Sequence, residues 1–452
     1  MLERRAAVLL FPLILSALPV LAQHAPTGAG LRGRIPDLFR FGDCAEPLCL
    51  NSSVNSASGH GDHYLGSTVA GTNNLLGFLS GAIGTAVASV PISTATSGVS
   101  FAFVGGAPVE MSNSAGPIFG ERVQTLGRGR FLAGVNLTGV DFRSVRGVPL
   151  DNLAFTFTHQ NVCRTNPSWQ PGQTCPAPTA ADTALGSPAF ENDVIEVNTS
   201  VDLSLQVASL YFAYGLMERV DIGVAVPLVR ADLRGGSVAR VVPFTNPTPH
   251  FFGTASDPLL SASTGFSGSA TGLGDIGARI KVNLGGSERG AFGLLTEARF
   301  PTGDEDDFLG TGEFAMRVLG IASARYGNFS PHVNAGYLFR SGKSITDAVL
   351  TTVGFDQLMA PWATLAVDVI GQWQVGTNPL VLPGPVTFTT PSQRKATPTN
   401  IPNRNDSLLD GSLGFKLNVG KGATVMANAL VPLNKGGLRG NLAWTTGLEY
   451  RF

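Results

Sequence analysis

Residues 441–452 alternate without a break. Leu442, Trp444, Thr446, Leu448, Tyr450 and Phe452 share one parity, and Asn441, Ala443, Thr445, Gly447, Glu449 and Arg451 the other. Successive side chains of a strand point to opposite faces, so this stretch has one apolar face and one polar or small face. A helix needs its apolar residues every 3.6 positions, which this pattern does not supply. The alternation returns near 409–419, where Leu409, Leu413, Phe415, Leu417 and Val419 oppose Asp410, Ser412, Lys416 and Asn418. It returns near 275–284, where Ile276, Ile280, Val282 and Leu284 oppose Asp275, Arg279, Lys281 and Asn283. Near 196–207, Val197, Val201, Leu203, Leu205 and Val207 oppose Glu196, Asn198, Asp202 and Gln206.

The pattern lays out about fourteen strands (range 12–16), near 92–104, 128–143, 150–160, 192–214, 219–231, 271–284, 290–301, 312–326, 328–341, 346–356, 361–376, 406–419, 422–433 and 438–452. With Phe452 in the periplasm, the turns at Met217–Arg219, Gly285–Arg289, Tyr326–Asn328 and Gly420–Lys421 fall on one side and are short. The stretches 161–191, 232–270, 302–311 and 377–405 fall on the other and include the long ones. Short periplasmic turns and long external loops are the rule for bacterial barrels. The expected fold is therefore all-β, a transmembrane antiparallel up-and-down β-barrel at 91–452.

Composition supports a membrane setting. Only 14% of the 452 residues are charged, against about 25% in ordinary globular chains, and mean hydropathy is +0.18. Beyond Ala22 no run of strongly apolar residues is long enough for a spanning helix. Met1–Arg5 carries two arginines, Ala6–Leu21 is apolar, and Val20-Leu21-Ala22 ends in a small residue. This is the layout of a signal peptide at 1–22, cleaved after Ala22, and it places the protein in the bacterial outer membrane. The segment 23–90 does not alternate. It is read as an N-terminal periplasmic or lumen-filling plug. Its apolar stretch 75–90 is too short and too rich in glycine to span.

The net charge of −1 and the absence of a basic tract exclude nucleic acid as a partner. Cys44/Cys49 and Cys163/Cys175 are spaced as local disulfides of an exported chain. Neither pair has the CxxC spacing of a metal site. Gly272-Leu-Gly274-Asp-Ile-Gly277 matches a dinucleotide fingerprint in letters only, because a strand and not a helix follows it. No cofactor is expected. Asp304, Glu305, Asp306 and Asp307 read as a solvated external loop. No serine sits in a nucleophile elbow, and His332 reads as a structural residue near the periplasmic rim, so no enzyme is expected. Strand parity points Asp202, Arg279, Lys281, Glu297, Arg299, Glu313, Arg317, Asp368, Lys416, Glu449 and Arg451 into the lumen as candidate solute-contacting or plug-binding groups.

Tyr214-Gly-Leu-Met-Glu-Arg-Val-Asp221-Ile-Gly-Val-Ala-Val-Pro227, Gly272-Leu-Gly-Asp275, Arg299-Phe-Pro-Thr-Gly303 and His332-Val-Asn-Ala-Gly-Tyr337 occur in the order found in one family. They resemble the outer-membrane proteins of the meta-cleavage pathway of phenol degradation, over about 190–452. Gly116–Arg122 and Thr125–Phe131 resemble the amino-terminal half of related chains. The resemblance implies a channel for passive uptake of small hydrophobic or aromatic solutes. The alternatives are a non-conducting structural or partner-binding barrel, and a soluble exported β protein. The expected partners are outer-membrane lipid and lipopolysaccharide, a small hydrophobic solute, and the assembly machinery, which would read Phe452.

Overall fold

The computed structural model describes residues 30–44, 48–52, 64, 101–104, 107–110, 114–158, 193–243, 250–287, 289–342, 346–376, 382, 385–388, 394–420 and 422–452. Among them, twelve antiparallel strands form a closed wall. They are β1 (Phe131–Val145), β2 (Val194–Met217), β3 (Val220–Val242), β4 (Ile276–Ser287), β5 (Gly290–Phe300), β6 (Ala315–Ser323), β7 (Phe329–Arg340), β8 (Ala348–Ala360), β9 (Ala363–Gln374), β10 (Leu408–Gly420), β11 (Ala423–Pro432) and β12 (Leu438–Arg451). Each pairs with the next in sequence. β12 closes the circle against β1, from Leu438 opposite Val145 to Arg451 opposite Leu132. Closure leaves the wall without unpaired edges, which alternating strands otherwise expose.

Twelve strands is the low end of the expected range. The expected strand at 150–160 exists as Leu153–Thr158, but it does not enter the wall. It lies along the upper part of β2, continuing the line of β1 past its end. Ser261–Leu273 does the same along the upper part of β3, and the chain then enters β4 through Gly274 and Asp275. Most of the expected strand 92–104 lies outside the described residues, and Phe101–Val104 pairs instead with Ala107–Glu110 in a separate hairpin. Residues 1–22, the apolar stretch 75–90, and Cys163 and Cys175 also lie outside them.

The connections segregate by length. Those after β2, β4, β6, β8 and β10 are tight turns at one end of the barrel. Those after β1, β3, β5, β7, β9 and β11 lie at the other end and include every long one. Around the outside, apolar side chains are exposed. On β7 they are Phe329, Val333, Tyr337 and Phe339. Phe329 and Phe339 are ten steps apart, about 33 Å along a strand. At the tilt usual for outer-membrane strands this is about 25 Å along the barrel axis, the height of a lipid-facing band. Aromatic rings collect at the short-turn end, where Phe131 packs on Phe212 (6.2 Å) and Phe452 (5.7 Å), and Tyr450 on Phe452 (4.6 Å).

The β2–β3 hairpin outgrows this band. On β3 the outward residues Ile222, Val224 and Leu228 are apolar, whereas Arg230, Asp232, Arg234 and Arg240 farther up are charged. The inward parity does the reverse, with Asp221, Gly223 and Ala225 below and Val229, Ala231, Leu233, Ala239 and Val241 above. β2 changes at the same level. Leu210, Phe212 and Tyr214 face out below, and Val197, Leu203 and Leu205 face in above. The upper hairpin therefore forms a cup that is apolar inside and, Val238 apart, polar outside.

The described part of 23–90 fills this cup. The short helix α1 (Leu31–Arg34) runs into a 3-10 turn at Ile35–Phe39. Leu31, Ile35, Leu38, Phe39 and Phe41 are buried with Leu203, Leu205, Leu233 and Phe266. The Phe39 ring stands edge-on to Phe155 (5.3 Å) and Phe157 (5.9 Å). Each such side chain contributes about 1.5–3 kcal/mol by leaving water. A Cys44–Cys49 disulfide closes the loop that follows. Arg146, fully buried, grips Asp406 through two bonds of 2.8 and 2.7 Å and draws the loop before β10 over the same end.

Candidate functional site

Residues 114–130 run through the lumen in an irregular, extended path between this cup and the short-turn end. A buried backbone without regular pairing needs partners elsewhere, and here the wall supplies them. Thr364 Oγ1 accepts from Ala115 N (3.0 Å), Asn334 Oδ1 from Glu121 N (2.8 Å), and Ser323 Oγ from Val123 N (3.2 Å). The Asp221 carboxylate accepts from Leu126 N (2.9 and 3.1 Å). The carbonyls are taken in the same way. Asn334 Nδ2 donates to Glu121 O (2.9 Å), Lys281 Nζ to Arg122 O (3.4 Å) and Lys416 Nζ to Ala115 O (3.4 Å). These wall residues have inward strand parity, which explains why an apparently apolar barrel carries so many polar residues at every second position.

Charge fixes the segment further. Arg122 donates to both oxygens of Asp356, with Nε to Oδ1 at 2.7 Å, and Ser114 Oγ bonds the same carboxylate. Glu121 sits between Arg279 (2.9 Å) and Lys281 (3.7 Å). Lys416 lies 3.8 Å from Glu449, which also accepts from Tyr211 (2.8 Å). His332 Nε2 meets Asp368 Oδ1 at 2.7 Å, and the other Asp368 oxygen accepts from Phe119 N and Gly120 N (3.4 and 3.5 Å). Gly120 has no alternative here, because a Cβ would stand 2.1 Å from His332 Nε2. Apolar contacts alternate with the ionic ones. Ile118 packs on Ala366 and Met426, Val123 on Leu295, Leu319 and Ile321, and Leu126 on Leu132, Tyr211 and Ala225. The segment leaves by a turn at Gly127 and Gly129, both at positive φ (84° and 77°), with Gly129 N bonded to Gly215 O (2.8 Å).

A second ionic group adjoins the first, with Glu297 opposite Arg279 in the ladder. Glu297 holds Arg299 (3.0 Å) and Arg317 (2.7 Å), and both arginines keep part of their side chains in contact with solvent. Arg317 Nε has no partner among the described residues.

The eleven charged residues chosen by parity thus fall in different places. Arg279, Lys281, Asp368, Lys416 and Glu449 surround the lumenal segment. Glu297, Arg299 and Arg317 form the second group. Glu313 stands in the loop before β6, and Arg451 is half-buried at the short-turn end of β12. Asp202 differs from expectation. It is exposed on the outside of the upper hairpin, opposite Arg234, because its neighbours Leu203 and Leu205 point into the cup. Parity reasoning passed over Asp356, Asn334, Asp221 and Ser323, although each is a polar residue at an inward position. Glu121 and Arg122 carry no periodic signal at all.

The family-like motifs turn out to be joints. Asp275 accepts from Gly303 N (3.1 Å), Thr311 N (2.9 Å) and Thr311 Oγ1 (2.7 Å), and Thr302 Oγ1 donates to Gly274 O (2.7 Å). The glycine-rich stretch at 272–277 is the break between Ser261–Leu273 and β4, tied to the loop after β5. The acidic stretch of that loop is not merely solvated. Asp307 Oδ1 accepts from Leu31 N (3.0 Å), Asp306 O from Arg32 N (2.7 Å), and Glu305 pairs with Arg32 (3.3 Å). It anchors α1 in the cup. His332 lies in the lumen beside Gly120, buried, and not on an exposed rim.

No protein-family model and no curated protein matches the chain. Among solved structures it is similar to an outer membrane channel from Pseudomonas putida F1 (10% identity, TM-score 0.40, covering 73% of this chain and 98% of that one). It is similar also to the Ralstonia pickettii toluene transporter TbuX (12%, 0.34, 80% and 98%) and to the translocator domain of the autotransporter NalP from Neisseria meningitidis (11%, 0.33, 73% and 91%).

Proposed function

We propose that the chain is an outer-membrane channel for passive uptake of small hydrophobic or aromatic solutes, and that residues 114–130 are its plug. One observation carries this reading. The apolar residues face outward over the height of a bilayer and inward above it, so a greasy cup stands at the mouth of a lumen whose lower half is held shut by ion pairs. The cup, lined by Phe155, Phe157, Leu205 and Leu233, is covered by Leu31–Phe41, and an apolar solute entering it takes the place of that segment's side chains by the same burial that holds Phe39 there. The resemblance of 214–227, 272–275, 299–303 and 332–337 to proteins of phenol degradation supports the same class of solute. Phe452, exposed at the short-turn end beside Phe131, is proposed as the residue read by the assembly machinery.

The buried pairs around the plug favour a second reading, a barrel that never conducts. Uptake of a small uncharged aromatic compound into proteoliposomes separates the two. The channel reading expects uptake above that of empty liposomes, rising when the Arg122–Asp356 pair is removed. A folded, inserted protein that gives no uptake in either form rejects it.

A further inference from the structure

The segment 114–130 accounts for much of the charge on the inner wall. Arg279 and Lys281 hold Glu121, Asp356 holds Arg122, and Asp368 accepts from Phe119 N and Gly120 N. Two inward arginines have no such role. Arg317 bonds Glu297 and Arg340 bonds Thr346 O, and neither touches the segment. They stand at the long-loop end of the wall, where β5 and β7 finish and β6 begins.

The ladder sets them close together. Ala315 of β6 lies opposite Arg299 of β5 on one side and opposite Arg340 of β7 on the other. Arg317 is the next inward residue of β6. Arginines on three adjacent strands therefore surround one methyl group. Two carboxylates stand with them. Glu297 pairs with both Arg299 (3.0 Å) and Arg317 (2.7 Å). Glu313 lies on the loop side of Ala315, and its buried Oε2 has no hydrogen bond among the described residues. Arg317 Nε has none either. Arg340 Nη1 donates to Thr346 O (2.5 Å), and Arg340 forms no ion pair among the described residues.

Beside this group the inner wall is aliphatic. Leu338 lies opposite Arg317, and Leu350 is the inward residue of β8 that follows Ala348, the other partner of Leu338. Arg299, Ala315, Arg317, Leu338 and Leu350 all have inward parity, yet each remains partly accessible. The segment 114–130 does not cover them. A few polar groups set in a concave apolar wall are the usual make-up of a small-molecule site.

From this arrangement we infer that Arg299, Arg317 and Arg340 form a seat, at the outer mouth of the lumen, for the carboxylate of a small apolar acid such as an aromatic monocarboxylate. A guanidinium is a planar fork of donors that matches the two oxygens of a carboxylate. Ala315 leaves room for that group between the three arginines, and the apolar body lies against Leu338 and Leu350. A solute without an acid group leaves Arg317 Nε unused. The inference rests on the channel reading and narrows its solute class.

The test measures binding and not transport. Full-length protein in detergent is dialysed to equilibrium against radiolabelled benzoate or benzamide near neutral pH, with empty micelles as the blank. The two probes share a ring and differ in charge. The expected result is a preference for benzoate of about tenfold or more, the worth of one charge-assisted hydrogen bond. Arg317→Gln/Arg340→Gln loses the preference, and Arg230→Gln on the outer hairpin keeps it. Ala315→Leu fills the seat without removing a charge and loses benzoate as well. Acetate at the same concentration leaves benzoate bound. Equal binding of the two probes by the wild type, a preference that survives the seat variants, an equal loss in Arg230→Gln, or displacement by acetate overturns the inference. Should the double variant fail to fold, Arg317→Gln and Arg340→Gln singly give the same reading as a stepwise fall. Uptake of a neutral aromatic compound without a preference for benzoate rejects the seat alone and leaves the channel reading standing. Benzoate bound at the seat, with no uptake of any aromatic compound into proteoliposomes, rejects the channel and keeps the seat as a binding site.

Discussion

Val207 faces Val229 across the β2–β3 hairpin with both side chains turned inward, and one rung below, Ala208 faces Leu228, which is 44% exposed on the outside. Between these two rungs the hairpin exchanges its apolar face. A soluble sheet buries one face throughout, and a membrane strand exposes its apolar face only as far as the lipid reaches. The exchange therefore marks the upper edge of the bilayer. A single cysteine at Asp202 is expected to react rapidly with a membrane-impermeant maleimide on intact cells, and one at Leu210 to resist it. Equal labelling at the two positions, after subtraction of the parent protein, would place the boundary elsewhere.

Arg122 and Asp356 are both almost fully buried. Removing one partner strands the other charge, at a cost of about 3–5 kcal/mol. Arg122→Ala is expected to free the lumenal segment while leaving the wall closed. Current through planar bilayers should rise, with the gel mobility of the folded barrel unchanged. Arg122→Ala/Asp356→Ala should be milder in stability than either single variant, because no unpaired charge remains.

Gly120→Ala tests the seat of the same segment sterically. The new methyl would meet His332 Nε2, and the buried His332–Asp368 pair has no room to retreat. The expected effect resembles overpacking of a core, a loss of about 1–3 kcal/mol. Gly420→Ala, where a Cβ meets nothing within 4 Å, is the matched control. Thermal denaturation in detergent should separate the two, the control staying at the wild-type midpoint.

Asp275 joins the break before β4 to the loop after β5, and that loop anchors α1. Hydrogen bonds to a charged group are worth about 1.5–3 kcal/mol each. Asp275→Ala should therefore loosen 301–314 and with it the segment seated in the cup. Limited proteolysis is expected to cut the variant within this loop under conditions that leave the wild type whole, whereas equal resistance would show that the loop is held by other contacts.

Much of the wall was legible because period-two alternation is the direct imprint of a strand with two unlike environments. Phe415 against Lys416, and Tyr450 against Glu449, need nothing else. The alternation does not say which environment is which. At 196–207 the apolar parity was assigned to lipid, yet it faces the cup, and this alone turned Asp202 the wrong way. The strand number came out at the lower bound of the expected 12–16 for a related reason. Leu153–Thr158 alternates like a wall strand but pairs above the wall, and only the partner's register reveals it. The lumenal segment 114–130, which falls in the stretch expected to be barrel, was invisible to periodicity. Its backbone is held by Asn334, Asp221 and Lys281, and its path depends on contacts more than a hundred residues apart in the chain for Glu121, Arg122 and Ala115.

A gel of outer-membrane fractions, comparing unheated with boiled samples, tests the central claim most directly. A closed barrel of twelve strands in the outer membrane predicts a folded band that shifts on boiling, found in the membrane pellet. A protein that does not shift, and that leaves the membrane without detergent, would mean that the outward Phe329–Phe339 face packs on protein, and the channel would have to be abandoned.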